Sequence, residues 1–466
     1  MQDVLCGIAA NPALPGHLFE RLARTGDEDV RHELTYRDDL SEPQARILLA
    51  HEDVDVLSLI ARGKVPWTEV PRHDPSFLQA AAQAGIAPET VVRELAAHHD
   101  PEVRGDLASY VAGLPPDVLA ALTRDPDPAV AERAAEAADL PADLAEELAR
   151  HPHVVVRVSL AYNDRTPPEL LAALLADGGT PAPTRCAACH HRTEGCPDHA
   201  PGLRRIRLAA AANPAVPTVG LESFLDAEEA AAPAEIAERT DLPAAFHARL
   251  ATHPAAFVRQ TLARNPSIGE PLILGLAEDP DPGVRLAVAE NPSVPLACLT
   301  ALAGRRRLPE GPLPRILNAT EPELHALATS RVAQVRALVA TRPDLPARLV
   351  DRLAEDTDIG VVGKIAPHPG LTGHQLAAIA DRHGPPVYGA IAHNPGCPAQ
   401  LLRRMARDTG PARKALRTIA SHPASPPDVI EALLTNADPR VVHAAAAHPA
   451  LPVATMERLL DRATAS

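Results

Sequence analysis

Aromatic residues are scarce in this chain of 466 residues: Phe, Trp and Tyr make up 2% of it, although 46% is hydrophobic. Rings carry much of the buried area of a thick globular core. The core here must be Ala, Leu and Val, which suits thin, closely packed helices. Cysteine is scarce too, and six are too few to staple a chain of this size with disulfides. No run approaches the ~18 apolar residues of a membrane helix. Met1-Gln2-Asp3-Val4 lacks the positive region and apolar stretch of a signal peptide. The expectation is a cytoplasmic protein with no membrane partner. Basic residues are outnumbered, 45 against 60 acidic, for a net charge of −15. A nucleic-acid binder usually gathers Lys and Arg on one face, so no nucleic-acid partner is expected. No nucleophile motif, phosphate-binding glycine loop or paired-carboxylate constellation stands out, and the chain reads as a non-enzyme.

Proline, by contrast, is abundant, with fifty residues. In a chain this apolar it does not signal disorder, and its positions explain it. Asn-Pro recurs at Asn11-Pro12, Asn213-Pro214, Asn265-Pro266, Asn291-Pro292 and Asn394-Pro395. His-Pro replaces it at His368, His422 and His448, and Leu-Pro or a variant follows at Leu14, Leu114, Leu140, Val216, Leu242, Val294, Leu345 and Leu451. Valines keep the period: Val30 and Val56, Val130 and Val156, Val258 and Val284, then Val335, Val361 and Val387 stand 26 apart within each group. Degenerate units fall near residues 77, 232, 309 and 412.

One unit shows the logic. Asp279 and Asp281 suit helix starts, where a side chain accepts from orphan backbone amides, and Pro282 is tolerated in a first turn. Leu286 or Ala287, with Val288, continues an inward stripe from Val284. Asn291 suits a left-handed helix end, and Pro292 forbids continuation. A second helix opens after Pro295 with Leu296, Leu299 and Leu302. Helices this short are marginal alone, so each must stack on its neighbours. The prediction is an all-α solenoid of ~26-residue two-helix repeats.

The run Asp279-Pro280-Asp281-Pro282-Gly283-Val284-Arg285, with Asn291-Pro292 and Val294-Pro295, resembles the leucine-rich repeat variant family and, more distantly, HEAT-like and armadillo-like helical repeats. Asp125-Pro126-Asp127-Pro128 and His98-His99-Asp100-Pro101-Glu102-Val103-Arg104 echo it. The resemblance implies a right-handed superhelix, with α plus 3₁₀ helices as one form of the unit.

One unit is interrupted. After Thr166-Pro167 the Val-Arg element is due at position 182 but arrives as Ile206-Arg207, 24 residues late. The chain therefore divides into N-terminal repeats (1–176), an inserted Cys/His-containing loop within one repeat (177–203) and C-terminal repeats of the same solenoid (204–466). In the loop, Cys186, Cys189, Cys196 and His199 read C-x2-C-x6-C-x2-H, with His190 and His191 as competing fourth ligands. Three thiolates and an imidazole suit tetrahedral zinc, and a polar loop without a core gains most from such a staple. An iron–sulfur cluster is the alternative. The resemblance raises it, because some proteins with such repeats carry a cysteine-rich cluster module; here only three cysteines are local, and they interrupt the repeats. Free thiols are the remaining reading.

Cys6, Cys298 and Cys397 sit in Leu, Val or Ala slots and read as small core residues. His368, His422 and His448 read as helix ends. Arg305-Arg306-Arg307 is a solvated loop or an anion contact, and Trp67 fills a packing fault or anchors a partner. A protein-interaction scaffold or adaptor, gripping another protein on its stacked surface, is the leading expectation. A metal- or redox-responsive protein is the alternative.

Overall fold

A computed structural model describes residues 1–179, 199–225, 231–305, 307–309, 311–408 and 413–465, and every regular element among them is a helix. Contacts divide the chain into two compact units, Ile60–Leu299 and Met1–Leu59 together with Thr300–Ser466.

In the unit 60–299, successive first helices stack in chain order: Pro101–Tyr110, Pro128–Ala135, Val154–Tyr162, His199–Ala212, Ala231–Glu238, Ala256–Arg264 and Pro282–Glu290. Second helices such as Pro116–Thr123, Ala142–Ala149 and Pro168–Asp177 form a parallel row. This is an α-solenoid. The Asp281 carboxylate accepts from the Gly283 and Val284 amides and starts the Pro282–Glu290 helix. Val284, Ala287, Val288 and Ala289 are buried, while Leu286 is half-buried. The valine column is the core: Val30, Val130, Val156, Val258, Val284, Val335, Val361 and Val387 are at most 1% exposed. Val56 breaks it, half-buried at the start of Val56–Ala61, with Val54 buried instead.

The Asn slot works differently from the sequence expectation. Asn291 has φ −70° and Asn265 φ −66°, ordinary extended backbone. Among the described residues only glycines take positive φ. The amide is a crosslink instead. Asn291 Nδ2 donates to the Ala263 and Asn265 carbonyls of the preceding repeat, both at 2.8 Å, while its Oδ1 accepts from the Ser293 amide. Asn265 does the same to Ala237 and Arg239, Asn163 to Ala135 and Ala137, and Asn394 to Ala366 and His368. Helix ends leave carbonyls without partners; one side chain satisfies such a carbonyl across the repeat boundary and shares a second, at Asn265 or His368, with the backbone amide three residues on. His422 and His448 fill the slot with a ring: Nε2 donates to the Asn394 and His422 carbonyls, and Nδ1 accepts from the Ala424 and Ala450 amides. Arginine fills it a third way. Arg37, Arg239 and Arg342 reach back to carbonyls of the preceding repeat and are held by Asp39, Asp241 and Asp344 two residues on.

A second ladder runs through the arginine after the valine. Arg259 donates to the His253 carbonyl of its own repeat and pairs through two nitrogens with Asp279 of the next. Arg104 with Asp125 and Arg336 with Asp356 repeat the arrangement, and Tyr388 replaces it with a 2.6 Å bond from its hydroxyl to Asp408. The Asp-Pro element thus serves both as a cap and as a partner of the preceding unit. Second helices of the regular repeats are α. The 3₁₀ form implied by the resemblance occupies that slot at Leu221–Phe224.

In the other unit, Ala333–Ala340, Ile359–Ile365, Tyr388–Ala392, Arg413–Ser421 and Pro439–Ala446 stack in order, and the next helix on the pile is Gln2–Ala10. Asn11 Nδ2 donates to the Ala446 and His448 carbonyls at 2.9 and 2.8 Å, the same staple across 435 and 437 residues of sequence. Gly7 makes the closeness possible: a Cβ there would lie 2.6 Å from Ala446 Cβ and from the His443 carbonyl oxygen. Second helices meet beside it, Arg21 pairing with Asp461 at 2.7 Å. The first repeat therefore holds the place of the repeat that would follow the last.

Candidate functional site

Cys186, Cys189 and Cys196, with His190 and His191, lie outside the described residues, as does the side chain of His199, which opens the His199–Ala212 helix. Among the described residues no group of three or more His, Cys, Asp or Glu is placed to hold a metal. The ladder is kept on either side of the segment. Asn213 staples to the Ala161 and Asn163 carbonyls, 52 and 50 residues back where a regular step spans 28 and 26. Beneath it, Arg157 is fully buried; Nε donates to the His151 carbonyl and Nη1 to that of Gly178. The count that pairs Arg259 with Asp279 puts Asp177 in the carboxylate slot here, and its side chain is not described. Among the described atoms Arg157 Nη2 has no partner, and burial lowers the guanidinium's pKa to about 10. Its register makes it a structural residue whose repeat is interrupted.

The remaining cysteines behave as core. Cys6 and Cys397 are buried, and burial raises their thiols to about 11 and about 12; Cys298 is half-buried and also raised. Such thiols stay protonated and unreactive. Trp67 is half-buried in a 3₁₀ turn, with the Arg72 guanidinium 5.0 Å from its ring centroid.

A site does form where the sequence reads as degenerate near residue 309. The Leu296–Arg305 helix is followed by irregular chain and the single turn Pro314–Leu317. That gap in the regular pattern leaves an open groove of about 360 Å³ against the first helices Ala333–Ala340 and Ile359–Ile365. Leu308, Pro309, Ala337 and Leu338 give it apolar walls, and Gly360 presents no side chain. Arg307, Lys364 and Asp358 stand at its rim; Asp358 also caps the Ile359–Ile365 helix by accepting from the Gly360 and Val361 amides. Gln334 and Thr341 complete the lining, which combines apolar surface with a few polar and charged groups, as in a socket for an apolar side chain. Sequence reasoning found the degenerate unit but not the groove. Gly360 and Gly363, within a helix where Gly is costly, were the available signal.

The chain matches no family profile and no curated protein sequence. Among solved structures it is similar to a leucine-rich repeat variant with a novel repetitive structural motif: 19% identity, 64% of this chain and 87% of that one, TM-score 0.25. It is also similar to a mutant of Kap121p: 13% identity, 95% of this chain, TM-score 0.14. This chain spans 44% of the length of that protein.

Proposed function

We propose that this protein is a non-enzymatic interaction scaffold whose first-helix face binds another protein. The observation that carries the reading is the groove of Leu308, Ala337 and Leu338, an apolar socket bordered by Arg307, Lys364 and Asp358 on the first-helix face. Stacked repeats supply the extended surface around it, and the socket supplies a place for one apolar anchor of the partner. A photo-crosslinking residue at position 337 in living cells tests it. A reproducible set of crosslinked proteins, absent with the probe at exposed Arg124 and lost on Leu308→Asp, is expected. Identical patterns at 337 and 124 would overturn it.

For the inserted segment we propose a structural metal site, with zinc held by Cys186, Cys189, Cys196 and His199. Its support is the ligand spacing, together with a ladder that resumes at Asn213 as though nothing had been added. Thiolate ligands make binding weaken on acidification. About one zinc per chain in protein purified without chelator and without oxygen is expected, and its removal should leave the melting of the repeats unchanged. Iron with matching sulfide would replace zinc by a cluster; absence of both would remove the site.

A further inference from the structure

Many of the described arginines are held by partners. They pair with carboxylates along both ladders and between second helices, as in Arg403–Asp428 and Arg404–Asp381. One surface gathers cations that are not so held. On the Arg413–Ser421 and Pro439–Ala446 first helices, Arg413, Lys414, Arg417 and Arg440 are exposed, and none makes a side-chain ion pair or hydrogen bond with a described residue. They line two adjoining hollows of about 290 and 490 Å³ that share Arg417 and Arg440. Two acids border the hollows. Asp438 caps the Pro439–Ala446 helix and accepts from the Arg440 amide, and Asp3 stands on the first helix of the chain. Four cations side by side, without a partner among the described residues, repel one another, in a chain whose net charge is −15.

The register of these charges carries information. Lys414, Arg440 and Asp3 each immediately precede the buried anchor of their helix, respectively Ala415, Val441 and Val4, so they occupy one slot on three successive helices of the stack. Neighbouring helices pack about 8–10 Å apart. A peptide in the extended polyproline II form advances about 3.1 Å per residue with three residues per turn, so every third side chain faces the same way about 9 Å further on and meets one slot. The row reads plus, plus, minus. A uniform polyanion such as a nucleic acid satisfies the first two positions and is repelled at the third; a polypeptide with two acids and one base satisfies all three.

We infer that this row is a docking site for an extended acidic peptide segment of a partner protein, with charges in the order Glu-x-x-Glu-x-x-Lys or its reverse. The inference rests on the reading of the first-helix face as a protein-binding surface. It names a second contact on that face, electrostatic where the groove is apolar, giving register and association rate more than bulk affinity.

Fluorescence anisotropy with labelled nine-residue peptides, Gly and Ser at the neutral positions, tests it on the full chain at low salt. Glu-x-x-Glu-x-x-Lys or Lys-x-x-Glu-x-x-Glu should bind at least about tenfold tighter than Glu-x-x-Lys-x-x-Glu, which has the same composition, and tighter than a single-stranded oligonucleotide. Arg440→Glu should abolish the preference with an unchanged circular dichroism spectrum. Asp3→Lys should shift it towards Glu-x-x-Glu-x-x-Glu, a reversal that loss of folding does not produce. Equal binding of the three peptides, stronger binding of the oligonucleotide, or indifference to both substitutions would overturn the inference. If crosslinking at position 337 then persists, the scaffold reading stands without this site; if it also fails, both fall.

Discussion

The step from Ala256–Arg264 to Pro282–Glu290 and the step from Pro439–Ala446 to Gln2–Ala10 are built alike, yet one joins consecutive repeats and the other joins the two ends of the sequence. Asn291 and Asn11 each bridge two carbonyls of the repeat below, at 2.8 Å in the first case and 2.8–2.9 Å in the second. Where the consecutive step has Ala287, the terminal step has Gly7, a closer approach of backbones. A neighbour in this fold is therefore defined by slot chemistry, not by order in the chain. The difference lies in what opening the step costs. Parting Asn291 from Asn265 disrupts chain on both sides, whereas parting Asn11 from His448 frees a terminal helix and leaves the remaining repeats stacked, as in local opening of a subunit of structure.

The largest effect belongs to the consecutive step. Val284 is fully buried, so Val284→Asp places an unpaired carboxylate in the column and should cost more than about 3 kcal/mol. Arg285→Ala, on a half-buried side chain, should cost much less. Denaturant unfolding of both variants checks this, and equal small effects would mean that the column does not carry the core.

Next comes the terminal step. Gly7→Leu drives side-chain carbon into Ala446 and the His443 carbonyl, an overpacking of about 1–3 kcal/mol or more. Hydrogen exchange should accelerate in residues 2–10 and 439–446 and stay unchanged in 256–290. Acceleration everywhere would show that the two steps form one cooperative structure and would dissolve the distinction between them.

A third pair of substitutions puts the two steps side by side. Asn291→Ala and Asn11→Ala each remove the donor of one buried carbonyl, Ala263 or Ala446, at about 1–3 kcal/mol for the unsatisfied group, while the Asn265 and His448 carbonyls keep the Ile268 and Leu451 amides. The first should lower the main unfolding transition. The second should appear mainly as lost protection at the terminus.

How far these steps were legible varies by residue. The 26-residue spacing of valine and Asn-Pro identified the repeat, the all-helical fold and the paired helices, because those depend on local periodicity. The role of Asn291 was not legible: a helix-ending Asn suggests left-handed backbone, and its real partners lie in another repeat. Arg37, Arg239 and Arg342 were missed for a related reason. They stand 26 residues from Asn11, Asn265 and His368, but a long cation does not look like an amide until both are seen donating to carbonyls of the preceding repeat. Contact between Gln2–Ala10 and Pro439–Ala446 left one trace, a glycine in an alanine slot. The groove at Leu308 was half-legible, since the degenerate unit was visible but no sequence rule says whether a failed repeat collapses or stays open.

The smallest effect is conditional on pH, and it separates the histidine staple from the asparagine one. His448 Nε2 donates to the His422 carbonyl, and Nδ1 accepts from the Ala450 amide, so the ring is held as the neutral Nε2–H tautomer. Burial lowers its pKa from the ordinary histidine value; the bond to the His422 carbonyl opposes the shift and the neighbouring His422 ring adds to it. A group whose folded pKa lies below its unfolded one binds fewer protons when folded. Its cost is therefore absent above the unfolded value near 6.5 and grows as pH falls through that value toward the folded one. Protonation would also set a second N–H against the Ala450 amide donor. His448→Asn keeps a donor for the His422 carbonyl and an acceptor for Ala450, with nothing to titrate. Wild type and variant should melt alike at pH 8, and the variant should melt higher at pH 5. Because Asn11 is stapled to the His448 carbonyl, the protection that the variant gains at pH 5 should be largest in residues 2–10 and 439–446. A uniform gain, or none, would show that this histidine does not couple acidity to the terminal step.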